Sequence, residues 1–309
     1  MFETDHPEAL LDVVIALDAN GASATPESLA HLDRRAVVIV GDKPGGKACT
    51  LNAGVRCANG EIIVFADTAQ NFDARTIPEL VRCLDDDRVG AVSGALALGG
   101  DSRGISPLHA YWRMEKWLRF NESKIHSTIG VTGAVYAVRR TLWREIPAGT
   151  LLDDVYVPMS IVLAGHRVSF TYAARAVDVR SFNVDAESNR KTRTLTGVMQ
   201  LIHLLPKLLS SANPVRLQFI MHKLARLATP FLLGIFAASG FMLFMLSAYR
   251  HPAATLWPMA AIAAVLAIVP ALRRLVVRSV RWVIALQIAT LRAVNNGLRA
   301  RWGVWQKPQ

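Results

Sequence analysis

The first 188 residues predict an α/β domain built on a mostly parallel sheet with helices on both faces. Short β-branched runs alternate with helical segments, and each run is apolar on consecutive residues. Continuous apolar strands are buried on both faces, which is typical of parallel sheets covered by helices. The runs are VVIAL (13–17), AVVIV (36–40), EIIVFA (61–66) and VGAVSG (89–94), and helical segments fit Pro26–Leu32, Ala48–Cys57 and Ala74–Leu84.

Charge divides the chain into two parts. All 24 Asp and Glu residues lie at or before Glu187, whereas 16 of the 35 Lys and Arg residues lie after Ser188. The first 188 residues therefore carry a net charge of −5, although the whole chain carries +11. An acidic domain before a basic, apolar tail argues against a nucleic-acid partner, because the excess positive charge is not on the domain. Three cysteines are too few for a disulfide framework and suit a reducing cytosol.

The tail contains two long charge-free segments. There are 23 uncharged residues between Arg226 and Arg250, and 22 between Arg250 and Arg273. A membrane span needs about 20 apolar residues, and both segments are long enough. The alternative is a pair of buried helices in a soluble domain, but such helices normally carry a charged face. The tight joint at Arg250-His251-Pro252 therefore predicts a transmembrane helical hairpin.

The basic residues that flank this hairpin predict its orientation. Lys223 and Arg226 precede the first span and four arginines follow the second, whereas Arg250 alone lies in the turn. The positive-inside rule then places the N-terminal domain and the C-terminus in the cytoplasm, and no secretory signal peptide is expected. We expect a multi-pass protein of the cell inner (plasma) membrane.

Two other segments have the composition of helices that lie at the membrane surface. Val198–Leu209 is mostly apolar, and Trp282–Leu291 is flanked by arginines. A third span is the alternative for Trp282–Leu291. The predicted organisation is a cytoplasmic domain over 1–188, a basic motif and interfacial helices over 189–226, two transmembrane helices over 227–272, and a basic, Trp-containing interfacial segment over 273–309.

Polar groups follow three predicted strands. Asp18 ends the first, the loop GDKPGGK (41–47) follows the second, and Asp67 ends the third. Ligands of such sheets bind beyond the carboxyl ends of the strands, so we expect these groups on one rim. A carboxylate at Asp67 suits a divalent cation or a ribose hydroxyl, with an N-cap for the next helix as the alternative.

The loop after the second strand nearly matches a phosphate-binding loop. Ala48 stands where nucleotide hydrolases have the Ser or Thr that holds Mg²⁺, so that class is excluded. A Gly-Lys pair at a helix N-terminus still suits a diphosphate, and a solvated glycine turn is the alternative. Further along, Asp153 and Asp154 lie in an apolar context before a helix. They are general-base candidates because burial raises a carboxyl pKa, and helix capping is the alternative.

The order of these motifs resembles that of processive-type family 2 glycosyltransferases, the group similar to cellulose, hyaluronan and poly-N-acetylglucosamine synthases. The resemblance covers residues 10 to about 305 and implies a GT-A fold, a UDP-sugar donor, Mg²⁺ or Mn²⁺, and inversion of the anomeric centre. The motifs are Asp18, GGKACTLNAG (45–54), VFAD (64–67), GVTGAVYAVRR (130–140), LLDDV (151–155) and RKTRT (190–194).

The resemblance also implies a role for each matching residue. Asp154, beside Asp153, would be the base that deprotonates the acceptor, and Asp67 would hold the diphosphate and the metal. The other implied contacts are Asp18 with the uridine, Lys47 and Asn52 near the nucleotide, Gly133 and Ala134 at the acceptor site, and Arg190, Lys191 and Arg193 at the leaving diphosphate.

The chain departs from the family pattern in two places. Ala69 replaces the second acid of the D-x-D element. The family's opening βα unit, which precedes the strand ending at Asp18 and carries part of the nucleobase pocket, has no counterpart, since only eleven residues precede Asp12. We expect this to leave strands with unpaired edges inside the sheet.

These features together predict a membrane-anchored, inverting glycosyltransferase that moves a sugar from a UDP-sugar to a glycan or lipid-linked acceptor, including processive polysaccharide synthesis. The expected partners are the nucleotide sugar, the acceptor and the membrane, without nucleic acid. One alternative is a single-sugar transferase acting on polyprenyl phosphate. The other is a truncated, inactive homologue that serves as a membrane-bound scaffold.

Overall fold

The computed structural model of the protein contains two compact units. The first comprises Met1–Phe182 with Gly197–His222, and the second comprises Asn183–Thr196 with Lys223–Gln309. The residues that the structure describes are 3–21, 25–29, 35–68, 70–98, 107–178 and 184–303.

The first unit contains seven described strands in two sheets. A two-stranded sheet pairs β1 (Val13–Leu17) with β2 (Ala36–Val40). The five-stranded sheet has the order β3-β6-β5-β7-β4. Its strands are β3 (Ile62–Ala66), β4 (Gln70–Phe72), β5 (Val89–Leu98), β6 (Val135–Arg139) and β7 (Arg167–Asp178). The four strands expected from the apolar runs are confirmed, and β5 extends beyond the expected end at Gly94.

Helices follow most of these strands. The helix predicted over Pro26–Leu32 is present as α1 (Pro26–Leu29), and residues 30–32 of that prediction lie outside the described residues. The 3-10 turns are Glu8–Leu10, Arg140–Leu142 and Pro206–Leu209, and Ile220–Leu224 is a π-helical turn. The helices are α1 (Pro26–Leu29), α2 (Lys47–Cys57), α3 (Thr76–Arg82), α4 (Pro107–Ile125), α5 (Asp153–Leu163), α6 (Val184–Leu204) and α7 (Arg216–Phe219).

The prediction of a mostly parallel sheet is wrong. The pairs β1–β2 and β5–β7 are parallel, whereas β3–β6, β5–β6 and β4–β7 are antiparallel. After α4 the chain re-enters the sheet as β6, between β3 and β5 and in the opposite direction. The apolar sequence of β6 carries no signal of that direction, because a strand buried on both faces has the same pattern either way.

The core lies between the five-stranded sheet and its helices. Leu80 of α3, Val92 of β5 and Val135 of β6 are fully buried together. Close packing there requires a glycine: a Cβ on Gly94 would lie 2.7 Å from Val135 Cγ2 and 2.8 Å from the Ala174 carbonyl oxygen. Such overlap strains a packed core.

Each sheet ends in a strand that has one open edge among the described residues. Among the described residues β1 pairs only with β2, and β3 pairs only with β6. All five apolar side chains of β1 are only partly buried, although five consecutive apolar residues are typical of a strand covered on both faces. Within the described residues, β1 and β2 therefore form a small sheet that is separate from the five-stranded one.

The segment 197–222 belongs to the first unit, which differs from its predicted place among interfacial helices. Val198, Leu201 and Leu208 are buried, and Gln200 accepts a 2.9 Å hydrogen bond from the backbone N–H of Leu151. The apolar face of Val198–Leu209, which was expected at a membrane surface, is therefore buried in protein.

The second unit contains the first part of α6 and three further helices: α8 (Ala225–Arg250), α9 (Pro252–Ile268) and α10 (Pro270–Leu298). Within the described residues one continuous helical stretch, Arg216–Arg250, is long and apolar enough to cross a membrane. Helices α9 and α10 meet that criterion only as a pair, and they are bent by 106°.

The second predicted span is therefore shorter than expected. It ends at Ile268, because Pro270 starts a new helix and proline cannot donate the backbone hydrogen bond that would continue the old one. Trp282–Leu291 is not a separate short segment, since it forms the middle of the 29-residue helix α10.

Candidate active site

The N-terminus of α2 gathers polar groups from the ends of β1 and β2. Asp18, which follows β1, accepts hydrogen bonds through Oδ1 from the backbone N–H of Gly46 (2.9 Å) and of Asn20 (3.0 Å). Gly45 and Gly46 have φ values of +86° and +87°, a region that glycine enters without steric cost. The glycine pair thus bends the loop so that it contacts Asp18 before the helix begins.

Lys47, the first residue of α2, connects this loop to two carboxylates. Its Nζ lies 3.3 Å from Asp67 Oδ1, just beyond β3, and 3.3 Å from Asp153 Oδ2, in the first turn of α5. We call Asp67, Asp153 and Asp154 the carboxylate cluster. The Lys47 side chain is 44% exposed, so water weakens each ion pair without removing the attraction.

The carboxylate cluster controls the charge of Lys47. Burial disfavours the ammonium form, but the nearby charges of Asp153, Asp67 and Asp154 outweigh it, so the pKa of Lys47 is raised above its usual value. At neutral pH the site therefore contains a positive charge held among three acids.

The two acids of α5 have different surroundings. Leu152 is the N-cap residue, so Asp153 and Asp154 lie within the first helical turn, where the helix dipole favours negative charge. The Asp153 side chain is 8% exposed and paired with Lys47. Asp154 is more exposed, and its backbone carbonyl accepts a 2.8 Å hydrogen bond from Val131. Asp67 does not cap a helix, since β4 is the next element.

The predicted acceptor residues lie beside these acids. A Cβ on Gly133 would be 3.4 Å from Asp154 Cβ and 3.4 Å from Lys47 Nζ, so any side chain at this position would contact both groups. Ala134 is buried and precedes β6. The structure therefore brings together Lys47, Asp67, Asp153, Asp154 and Gly133, with Asp18 bonded to the residue before Lys47.

Asn52 and the basic motif are placed differently from this group. The side chain of Asn52 is buried and makes two 2.9 Å hydrogen bonds, both to the backbone of Ile146. Its amide thus ties α2 to the segment before α5. Arg190, Lys191 and Arg193 lie on α6, in the part of that helix that belongs to the second unit.

Tyr136 is part of the site but has no counterpart in the sequence prediction. Its side chain is 1% exposed, and its hydroxyl has no hydrogen-bond partner among the described residues. Burial, and then the three acids of the carboxylate cluster, raise the pKa of Tyr136 well above its usual value. Its ring stacks on Phe65 with centroids 4.5 Å apart. The tyrosine was visible in the motif GAVYAVRR, but its residue type alone predicts only a buried aromatic.

The donor set fits a divalent cation that is shared with a substrate. Among the described residues there is no group of three His, Cys, Asp or Glu residues that could hold a metal ion. Mg²⁺ is commonly bound by one or two carboxylates together with substrate phosphates. Asp67, which follows β3 and is partly exposed, is a carboxylate of that kind.

Comparison with known proteins agrees with this fold. The mannosyltransferase PcManGT from Pyrobaculum calidifontis, solved with GDP-Man and Mn²⁺, is 24% identical with a TM-score of 0.68, over 97% of this chain and 81% of that chain. TarS residues 1–349 from S. aureus, solved with UDP-GlcNAc, are 14% identical with a TM-score of 0.44. That match covers 65% of this chain and 60% of the TarS chain. The likeness to PcManGT shows a GT-A-like α/β fold. No curated protein matches the chain.

The sequence also matches the family described as glycosyltransferase like family 2, over residues 9–197. That range contains the carboxylate cluster, Lys47 and the basic residues of α6. The matched range covers more than half of the chain. The protein therefore belongs to the glycosyltransferase like family 2.

Proposed function

We propose that the protein is a membrane-anchored, inverting glycosyltransferase that moves a sugar from a nucleoside-diphosphate sugar to a glycan or lipid-linked acceptor. The observation that carries this proposal is the position of Lys47 between Asp67 and Asp153, with Asp154 beside Gly133. This arrangement supplies a cation for a diphosphate and a base for a hydroxyl on the same rim.

The reaction would be a single displacement. Asp154 takes the proton of the acceptor hydroxyl, whose oxygen then bonds to the anomeric carbon while the bond from that carbon to the diphosphate breaks. Attack from the face opposite the leaving group inverts the anomeric centre. The fold contributes by aligning the two substrates, and cations near the departing diphosphate stabilise its charge.

Each remaining group has a binding role in this proposal. Asp67 would hold Mg²⁺ or Mn²⁺, which supplies charge neutralisation for the diphosphate when bound. Asp18 would contact the nucleoside end of the donor, and Lys47 would lie near the nucleotide. Arg190, Lys191 and Arg193 would stabilise the leaving diphosphate, and Gly133 and Ala134 would shape the acceptor site.

We propose a UDP-sugar as the donor, with GDP-sugars as the competing class. Calorimetric titration of UDP, GDP and their sugar conjugates in the presence of Mn²⁺ decides between them. Product length then separates processive polysaccharide synthesis from single transfer to polyprenyl phosphate. Absence of binding by any nucleotide sugar would support the scaffold alternative.

We also propose that the second unit attaches the protein to the membrane. Helix α8 has 26 residues and α9 has 17, the latter at the lower limit for a span. The 106° bend turns α10 away from the direction of α9, as a surface helix requires. Four exposed arginines of α10 fall within about 60° of one another around the helix axis; they are Arg274, Arg278, Arg281 and Arg292.

We further propose that one additional strand pairs between β1 and β3. Both strands are apolar along their whole length and have an open edge. Their carboxyl ends meet the same helix start, through Asp18 with Gly46 and Asp67 with Lys47. A strand between them would satisfy both rows of backbone groups, at about 4.8 Å from each.

Replacing Asp154 by Asn is expected to abolish transfer while nucleotide-sugar binding is retained. A general base acts in the transition state, so kcat should fall by about 10²-fold or more. Asp153→Asn is the matched control, with a milder effect on kcat because Asp153 is paired with Lys47. An inactive Asp153→Asn beside an active Asp154→Asn would reverse the assignment.

Replacing Lys47 by Met is expected to weaken nucleotide binding and to lower stability with a defined pH dependence. The pKa of Lys47 is raised in the folded state, so its contribution is complete below about pH 10.5, the unfolded value, and is lost only as pH rises further. The difference in unfolding free energy from the wild type should therefore be flat between pH 7 and 9. Lys43→Met, in the same loop, is the control. A difference that already shrinks by pH 9 would contradict the ion pairs.

Extending the protein upstream by about 50–100 residues of in-frame coding sequence, enough for one βα unit, is expected to strengthen nucleotide binding and turnover. The 309-residue chain should bind the nucleotide more weakly and turn over more slowly than the extended version. Binding and transfer are measured on both versions. Robust transfer by the 309-residue chain would show that the additional strand is unnecessary.

Reporter fusions are expected to place Met1 and Gln309 in the cytoplasm and His251 on the opposite side of the membrane. The acids end at Glu187, and bases flank both ends of the α8–α9 pair, which sets this orientation. Reporters at the two termini on opposite sides would show an odd number of spans, with α10 crossing the membrane.

A further inference from the structure

A second group of charged side chains is buried in the first unit, outside the site described above. Glu115, Arg119 and Glu122 lie on α4, and His222 lies in the π-helical turn Ile220–Leu224. Their side chains are 3–11% exposed. We call these four residues the glutamate–histidine cluster.

The histidine joins the two glutamates. His222 Nδ1 lies 2.7 Å from Glu122 Oε1, and His222 Nε2 lies 3.0 Å from Glu115 Oε1. Carboxylates only accept hydrogen bonds, so the ring satisfies both when each nitrogen carries a proton. Arg119 is the fourth member, with Nη2 3.8 Å from Glu115 Oε1.

The cluster contacts the loop 129–134, which leads into β6, at two points. Glu122 Oε2 accepts a 3.3 Å hydrogen bond from the backbone N–H of Ile129. Arg119 Nη1 donates a 2.9 Å hydrogen bond to Thr132 Oγ1. These two hydrogen bonds hold the loop from the α4 side. In each of them the α4 partner is an ionisable side chain, Glu122 or Arg119.

The opposite side of the same loop faces the carboxylate cluster. The N–H of Val131 donates to the Asp154 carbonyl at 2.8 Å, and Gly133 is the residue at which a side chain would contact Asp154 and Lys47. The loop is therefore a single layer between the glutamate–histidine cluster and the site. Thr132 and Gly133 are adjacent in the chain, so a displacement of Thr132 would also move Gly133.

Burying several charges is expensive, and a buried ion group is weak evidence of a gain in stability. We propose that the glutamate–histidine cluster positions the loop 129–134 for acceptor binding, with Arg119 as the positioning residue. The link to acceptor binding rests on the proposed glycosyltransferase function. The link to loop position rests on the contacts alone, so the two are tested separately.

The first measurement is hydrogen exchange of the loop amides in the full 309-residue chain. Arg119→Met removes the guanidinium, retains the stem and leaves the 3.2 Å hydrogen bond from Thr132 Oγ1 to the Gly94 carbonyl in place. It should raise exchange at residues 129–134 by roughly 2- to 10-fold, the loss of about one hydrogen bond. Thr132→Val removes the hydroxyl with both of these bonds, retains every charge, and should raise exchange at least as much. Arg88→Met, at an arginine that is 76% exposed and paired only on the surface with Asp86, should leave loop exchange unchanged.

The second measurement is steady-state transfer, in the version of the protein that turns over. The donor dissociation constant should stay within about 2-fold, while kcat/KM for polyprenyl phosphate or a glycan acceptor falls by roughly 10- to 100-fold, as expected for a misplaced substrate. Unchanged loop exchange in Arg119→Met would overturn the proposal, as would a lowered Tm with a wild-type acceptor KM. If no version transfers sugar, the proposed function fails and the exchange data still decide the positioning role.

Discussion

The ammonium group of Lys47 joins three segments that are distant in the chain: the loop after β2, the end of β3 and the start of α5. Each of the acids it contacts is attracted to this cation and repelled by its neighbours, so the cation determines how closely the acids can approach. The position of Asp154 follows from that of Asp153, the adjacent residue on a rigid helical turn. The spacing of Asp67, Asp153 and Asp154 therefore depends on one side chain.

Much of this arrangement could be predicted from the sequence, because it follows from local patterns. Consecutive apolar residues identify the strands, and the polar residue after each strand marks the rim, which is how Asp18 and Asp67 were recognised. Lys47 was recognised from the glycines before it. Asp153 stood out because acids are rare in such an apolar context. The structure confirms these strands and brings Lys47 close to Asp67 and Asp153.

Other features depend on contacts between residues far apart in the chain. The direction of β6 is set by the route of the chain after α4, and no residue of β6 records it. His222 meets Glu122 across 100 residues and Glu115 across 107, so neither glutamate looks different from a surface acid in the sequence. Proline is equally ambiguous: Pro230 and Pro258 lie inside helices, whereas Pro270 begins one. The residue type alone therefore does not show which of them interrupts a helix.

The open edges of β1 and β3 also bear on how the protein behaves in solution. Natural edge strands are shielded by lysine, proline or a bulge, but VVIAL and IIVFA contain no charge and no proline. Such strands are templates for pairing between chains. Edges of this kind, open among the described residues, would favour association between copies of the chain, and that association would increase with protein concentration.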